Sequence, residues 1–293
     1  MTNAGTLLIH LICSGWVKNC STSTLAFDIA QFFPSLNYQI LSLIMDKAEF
    51  NLRIFRFFSN YLVGRKTKYL WNNFSSLFFD VNVGMGQGLA LSPILFALYL
   101  LLVFHIFEKR LKNLKIPVSF ISFVNDNLLI SQNKSFKILN ANLFCSYHVI
   151  YCLLDHFELV IEQGKTSVFY FSRAQGAFNP PSLDLSILGG PILHPKEMWQ
   201  YLGFIFNRKL FFHQHINFYM NKAISTVKSM KMLGNSSRGL ISTQKHLLYK
   251  TCILPIALYS FPLWYYNNAL LLYLFKVFKH MQRRATLGII GVF

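Results

Sequence analysis

From Val81 to Phe107 the chain carries no Asp, Glu, Lys or Arg, and Leu89–Phe107 is almost the length of a membrane-crossing helix. A helix apolar all round belongs either in a bilayer or at the centre of a large core. The flanks favour the core. Ser92-Pro93 offers a hydroxyl N-cap followed by proline at the first helical position, and Glu108-Lys109-Arg110 puts cations in the last turn. A second uncharged run, Cys252–Phe275, is interrupted by Pro255, Pro262 and Asn267-Asn268, which predicts short packed helices rather than one span. With 293 residues, 53% hydrophobic and 13% charged, the chain can build such a core and is not disordered. A mean hydropathy of +0.38 keeps an integral membrane protein using residues 89–107 as an alternative.

The charges are unevenly placed. Lys plus Arg number 28 against 11 Asp plus Glu, a net charge of +17, which points to a polyanionic partner. No carboxylate follows Glu197, while Arg208, Lys209, Lys222, Lys228, Lys231, Arg238, Lys245, Lys250, Lys276, Lys279, Arg283 and Arg284 do, interleaved with Phe, Tyr and Trp. A one-signed segment of helical spacing suits a clamp on phosphates; a solvated basic face is the plainer alternative. Cys13, Cys20, Cys145, Cys152 and Cys252 show no CxxC and no metal-ligand spacing, so a reduced intracellular compartment is expected. The start, Met1-Thr2-Asn3-Ala4, lacks the basic residues of a secretion signal and predicts a buried helix over Leu7–Val17.

Periodicity predicts a buried strand at Thr24–Phe27, helices around Leu36–Ala48 and Phe55–Val63, and a hairpin over Lys66–Asn82 with Tyr69, Trp71, Phe78 and Val81 on strands. Apolar runs Val118–Val124 and Leu128–Ser131 flank Asn125-Asp126-Asn127, a hairpin with a polar turn. A helix over 142–158 and a strand at Thr166–Phe171 follow, and Asn179–Pro195 reads as a connector. Trp199–Phe206 with a short partner strand leads into a helical region. The sum is an α+β sheet with helices on one face, then a separate helical lobe.

Asp28 ends the apolar run Leu25-Ala26-Phe27, and Asp126 sits in a strongly apolar hairpin. Carboxylates among apolar strands are costly unless paired, hydrogen-bonded or bound to metal. Two strand-end carboxylates brought together can hold Mg²⁺, which favours one or two carboxylates plus substrate phosphates and water. Alone, Asp126 also reads as an ordinary turn residue.

Leu25-Ala26-Phe27-Asp28-Ile29-Ala30-Gln31-Phe32-Phe33-Pro34-Ser35 resembles the first palm motif of reverse transcriptases, and Gly84-Met85-Gly86-Gln87-Gly88-Leu89-Ala90-Leu91-Ser92-Pro93 the second. Phe123-Val124-Asn125-Asp126 is similar to the third, usually aromatic-x-Asp-Asp; Gly164-Lys165-Thr166 matches the fourth, and Tyr201-Leu202-Gly203 the primer grip. The five motifs stand in the family's order, with the flavour of non-LTR (LINE-like) retrotransposon polymerases of fungi. The resemblance implies a right-hand polymerase palm, an RRM- or ferredoxin-like antiparallel sheet with helices, plus a helical thumb, with the fingers largely missing. Residues 1–197 would be partial fingers and palm, and 198–293 the primer grip and basic helical thumb.

The activity so implied is RNA-directed DNA polymerisation by two-metal nucleotidyl transfer, with RNA template, DNA primer and deoxynucleoside triphosphates as partners, two Mg²⁺ ions as cofactor and no membrane. The implied metal set is Asp28, the Ile29 carbonyl, Asn125 and Asp126. Phe33 matches the steric gate against a ribose 2′-hydroxyl, and otherwise reads as a core aromatic. Gln87 and Gly88 would line the nucleotide pocket. Lys165 matches a general acid toward pyrophosphate, and otherwise reads as an exposed turn lysine. Tyr201, Leu202 and Gly203 would position the primer end. A nuclear or cytoplasmic, non-secreted location would follow.

Three departures matter. Asn125 stands where the family carries a metal-binding aspartate, and each ~1.4 kcal/mol of lost transition-state stabilisation costs tenfold in rate, so severely reduced or absent polymerisation is expected. The family's upstream fingers strands and flanking nuclease domains are expected to be missing, and Leu89 replaces a small residue. A non-catalytic nucleic-acid-binding palm–thumb remnant is therefore the second expectation.

Overall fold

The N-terminal run forms helix α1 (Thr2–Val17), and the strand that follows, β1 (Ser21–Asp28), is longer than its apolar stretch because Ser21–Thr24 join the ladder. The computed structural model describes residues 2–81, 83–86, 91–174, 179–232, 239–265 and 271–290, with only the backbone at 231–232 and 271–272. The chain divides into two compact units: Gly15–Tyr170 with Ala174–Pro195, and Met1–Ser14 with Phe171–Arg173 and Lys196–Phe293. The first residues thus group with the carboxy-terminal third.

The first unit continues with α2 (Phe32–Ser35), α3 (Tyr38–Lys47) and α4 (Leu52–Leu62), then the short strands β2 (Arg65–Thr67), β3 (Leu70–Trp71), β4 (Phe74–Ser75) and β5 (Phe79–Val81). Helix α5 (Ser92–Asn113), strands β6 (Val118–Phe123) and β7 (Asp126–Asn133), helix α6 (Phe136–His156) and strand β8 (Ser167–Phe171) complete the frame. Asparagines start two of the helices. Asn37 Oδ1 accepts from the Gln39 and Ile40 amides at 2.8 and 3.3 Å, and Asn51 Oδ1 from the Arg53 amide at 2.9 Å.

The main sheet runs β6-β7-β1-β8, with β1 and β7 antiparallel from Ser21↔Asn133 to Asp28↔Asp126, and β6 and β7 antiparallel from Val118↔Ser131 to Phe123↔Asp126. In chain order this is β-α-β-β-α-β with the first and third strands central, the RRM- or ferredoxin-like arrangement expected. Tyr147 of α6 packs edge-on to Phe27, and Phe104 and Phe107 of α5 enclose Phe120.

Several boundaries differ from the sequence expectation. The β6–β7 turn is Val124-Asn125, one residue earlier than the polar triplet suggests, so Asp126 is a strand residue and Asn127 is wholly buried. Ser92 is the first residue of α5 and does not cap it; its hydroxyl donates to the Gly86 carbonyl at 2.8 Å. Tyr69 and Phe78 lie between the short strands, because the 65–81 hairpin breaks into two ladders. The expected connector contains β9 (Leu183–Asp184) and β10 (Ile192–Leu193), an antiparallel pair. Helix α5 buries Leu95, Phe96, Tyr99, Leu100, Val103, Phe107 and Leu111, so the uncharged run is a core helix. Among the described residues no helix is long and apolar enough to cross a membrane.

In the second unit, Trp199–Phe206 is itself a tight hairpin, β11 (Met198–Tyr201) with β12 (Phe204–Asn207), rather than one strand awaiting a partner. Helices α7 (His213–Met232), α8 (Ser242–Leu248), α9 (Leu254–Ala257), α10 (Phe261–Trp264) and α11 (Leu271–Ile290) follow. Pro255 does not break the chain into separate helices: α8, a π-turn at Tyr249–Ile253 and α9 form one continuous helical run, with Pro255 directly after the wider turn. Pro262 does lie in the first turn of a separate short helix, α10, and Asn267-Asn268 lie outside the described residues.

Candidate active site

Register alone brings the two key carboxylates together. Asp28 ends β1 and faces Asp126 at the start of β7; directly opposed residues of an antiparallel pair share a face of the sheet. Like charges so placed repel, and the neighbours offset this. Lys165, in a 3₁₀ turn at Gln163–Lys165, donates from Nζ to Asp28 Oδ2 at 2.8 Å. Asn125 donates from Nδ2 to Asp28 Oδ1 at 2.6 Å; a carboxylate accepts only, so the amide must present its NH₂ end. Both Asp28 oxygens are engaged, and its side chain is 9% exposed while that of Lys165 is 64% exposed. The 3₁₀ turn that carries Lys165 is tied to β1 by the Glu162 amide, which donates to the Asp28 carbonyl at 2.9 Å.

The electrostatics follow this geometry. The hydrogen bond to Asp28, with its charge, holds the Lys165 ammonium above the ordinary lysine value. Lost hydration and the facing Asp28 charge push the Asp126 carboxyl up, against a lowering by Lys165. Asp126 remains solvent-exposed, so water screens much of that repulsion.

The bend itself is unusual. Val124 sits at φ 58°, a left-handed conformation that a β-branched residue rarely adopts. It is held from behind: Asn127 Nδ2 and the Ile29 amide both donate to the Asn125 carbonyl, at 2.8 and 3.4 Å. Ile29 is buried and bridged to Ile161.

This donor set suits one divalent cation. Two facing carboxylates, with phosphate and water oxygens, are the kind of donor set that satisfies Mg²⁺. Among the described residues no group of three or more His, Cys, Asp or Glu could hold a metal.

Of the other sequence candidates, Phe33 is half-buried in α2, its ring 5.5 Å from Phe96 and 5.9 Å from Phe32. Gln87 and Gly88 lie outside the described residues. Tyr201, Leu202 and Gly203 belong to the second unit. Leu202 and Gly203 both have positive φ, 49° and 78°, as a two-residue hairpin turn demands. The hydroxyls of Tyr259 and Tyr219 donate to their carbonyls at 3.0 and 2.8 Å, and a Cβ on Gly203 would meet the Tyr259 oxygen at 2.9 Å.

Sequence reasoning missed the clasp behind the second motif. Gly84 has φ 75° and lies so close to the Pro34 backbone that no side chain fits. Arg65 Nη1 donates to the Gly84 carbonyl at 2.9 Å and to the Tyr38 hydroxyl at 2.8 Å, and Tyr38 donates to the same carbonyl. The one signal was a lone arginine after Gly64, too common to single out. In the second unit, α7 and α11 line a groove of about 890 Å³ with Lys228, Lys276, Lys279, His280, Arg283 and Arg284 on its walls.

No family model matches the chain, and no curated protein matches it. Solved structures do. Apo telomerase from Candida tropicalis aligns with a TM-score of 0.53 and 13% identity, over 99% of this chain and 51% of that one. Telomerase from the same organism in complex with a TWJ fragment of telomeric RNA gives 0.51 and 12%, over 97% and 46%. Apo telomerase truncated from its C-terminal domain gives 0.51 and 14%, over 72% and 39%. The chain therefore spans about half the length of these structures or less. Likeness at such identity is likeness of fold, and the chain has the right-hand polymerase fold of the reverse-transcriptase type.

Proposed function

We propose that the chain is the palm and thumb of an RNA-directed DNA polymerase of non-LTR retrotransposon descent, with its metal site weakened by Asn125. The observation that carries this is the facing pair Asp28↔Asp126 at the end of the central strands, with Asn125 and Lys165 both on Asp28. Asp28 and Asp126 would hold Mg²⁺, with Asn125 contributing a neutral amide where a third charge would bind harder. When bound, Mg²⁺ supplies charge neutralisation at the primer 3′-hydroxyl and the triphosphate. Lys165, exposed and cationic, would offer a proton from Nζ to a leaving phosphate oxygen. RNA template, DNA primer and deoxynucleoside triphosphates are the partners, and the basic α7–α11 groove would lie on nucleic-acid phosphates.

Primer extension on an RNA template with Mg²⁺ tests this, with Asn125→Asp alongside. The unmodified chain should extend poorly, and Asn125→Asp should raise the rate tenfold or more, about 1.4 kcal/mol per decade. Robust extension by the unmodified chain removes the impairment. The second reading, a nucleic-acid-binding scaffold, draws on the full engagement of both Asp28 oxygens. Salt-dependent binding of RNA–DNA duplex, with no extension from either chain, selects it.

A further inference from the structure

The 65–81 hairpin leaves most of its apolar residues exposed. Trp71 is 76% exposed, Tyr69 69% and Phe74 63%, and Leu70, Leu77, Phe78 and Phe79 are exposed with them. Trp71 and Phe74 face each other across β3 and β4, and the Tyr69 ring lies 5.2 Å from Phe79. The projection is therefore an ordered array of rings, far more than scattered surface apolar residues.

Its charges say what fits on it. Residues 65–81 contain Arg65, Lys66 and Lys68 against the single carboxylate Asp80. Arg65 is used in the clasp on Gly84, whereas Lys66 and Lys68 are exposed. Lys66 stands 4.0 Å from Asp80, a loose pair, and Lys68 lies over the Phe78 ring at 5.2 Å, so that ammonium is held against an aromatic face. Two copies meeting through this surface would bring like charges together. A duplex would offer phosphates but no free base faces. A single-stranded polynucleotide offers both complements: flat faces for the rings and a phosphate backbone for the lysines.

We propose that this hairpin is a binding platform for single-stranded nucleic acid, with bases stacked on Tyr69, Trp71 and Phe74 and phosphates taken by Lys66 and Lys68. The platform goes beyond the polymerase reading and is independent of the chemistry at Asp28. Because every base has a π-face, the binding tolerates sequence.

The test is fluorescence anisotropy of the full chain with labelled single-stranded RNA of mixed sequence, and with the same strand annealed as duplex. A Trp71→Leu, Phe74→Leu double variant keeps apolar bulk and removes the rings; it should lose about tenfold or more in single-strand affinity, with duplex binding unchanged. Leu77→Ser, at a side chain still more exposed but ringless, should bind like the unmodified chain, and a circular dichroism melt confirms that each variant is folded. Lys68→Glu should weaken binding and flatten the dependence of log affinity on log salt, whose slope falls by roughly 0.7 for each phosphate no longer neutralised. An unchanged affinity in the double variant, or an equal loss on duplex, overturns the proposal. So does a dimer of the unmodified chain that Trp71→Ser dissolves, since the rings would then be covered by a second copy.

Discussion

Among the described hairpins of the first unit, β6–β7 keeps Ile121, Leu128, Leu129 and Ile130 almost wholly out of water, while the hairpin of residues 65–81 turns Tyr69, Trp71 and Phe74 into it. Both are rich in aromatic and aliphatic residues and both turn on an asparagine-containing bend. The difference lies in what stands beside them. β7 is paired on both edges, by β1 and β6, and α6 packs against it, so Leu128, Leu129 and Ile130 are buried. Among the described residues the exposed hairpin pairs only with itself, in two short ladders. A central strand can carry costly groups such as facing carboxylates because packing over-determines its position. The exposed hairpin turns on Asn72, a residue type that tolerates the left-handed region, and its surface is what it has to offer.

The largest effect that tests the comparison is on stability. Leu128→Ala, on a side chain with no exposure, should cost about 2–5 kcal/mol, whereas Trp71→Ala should stay within about 0.5 kcal/mol despite the larger deletion. Urea unfolding followed by circular dichroism measures both. Equal losses would mean that the 65–81 hairpin is covered, and the contrast would collapse.

How far the sequence was legible divides along the same line. The strands and helices of the frame could be read because the strands are built on apolar runs and α5 is an uninterrupted apolar helix that ends in charges, while their RRM- or ferredoxin-like order came with the resemblance. The Asp28–Asp126 pair was legible through motif order, and the register fixes it. The exposure of Tyr69 and Trp71 could not be read, since an apolar strand looks the same whether another sheet covers it or water does. The turn at Val124-Asn125 was misplaced because polarity pointed to Asn125-Asp126-Asn127, whereas Asn127 is buried with its side chain tying the bend. The Arg65–Tyr38–Gly84 clasp joins residues far apart in sequence, and only folding shows it.

A smaller effect separates the two bends. Val124 at φ 58° carries the left-handed penalty of a β-branched residue; Asn72, at φ 49°, is of a type that tolerates that region. Val124 is exposed, so Val124→Gly removes strain with little loss of packing and should raise stability by about 1 kcal/mol. Asn72→Gly should change it by a few tenths at most. Thermal melts of the two variants make the comparison. A loss at Val124→Gly would show that its side chain is held by neighbours whose grip outweighs the strain.

The smallest effect concerns the charges. In the folded chain the Asp126 carboxyl titrates above the ordinary aspartate value of 3.8, through lost hydration and then the facing Asp28. A carboxyl raised on folding binds its proton more tightly in the native state. Its stabilising contribution is therefore complete below the unfolded value and lost as pH rises through the folded one. At neutral pH the ionised Asp126 weighs against the fold, so Asp126→Asn should melt slightly higher than the unmodified chain, with the gain shrinking toward pH 4 and below. Asp80→Asn, which breaks only an exposed pair on the other hairpin, should stay within about 0.5 kcal/mol. Adding Mg²⁺ at neutral pH sharpens the contrast. A cation between Asp28 and Asp126 favours the unmodified chain and erases or reverses the Asp126→Asn gain, while Asp80→Asn is untouched. A gain that persists at saturating Mg²⁺ would mean that the facing carboxylates do not bind the ion together, and the polymerase reading would lose the electrostatic reason for placing them there.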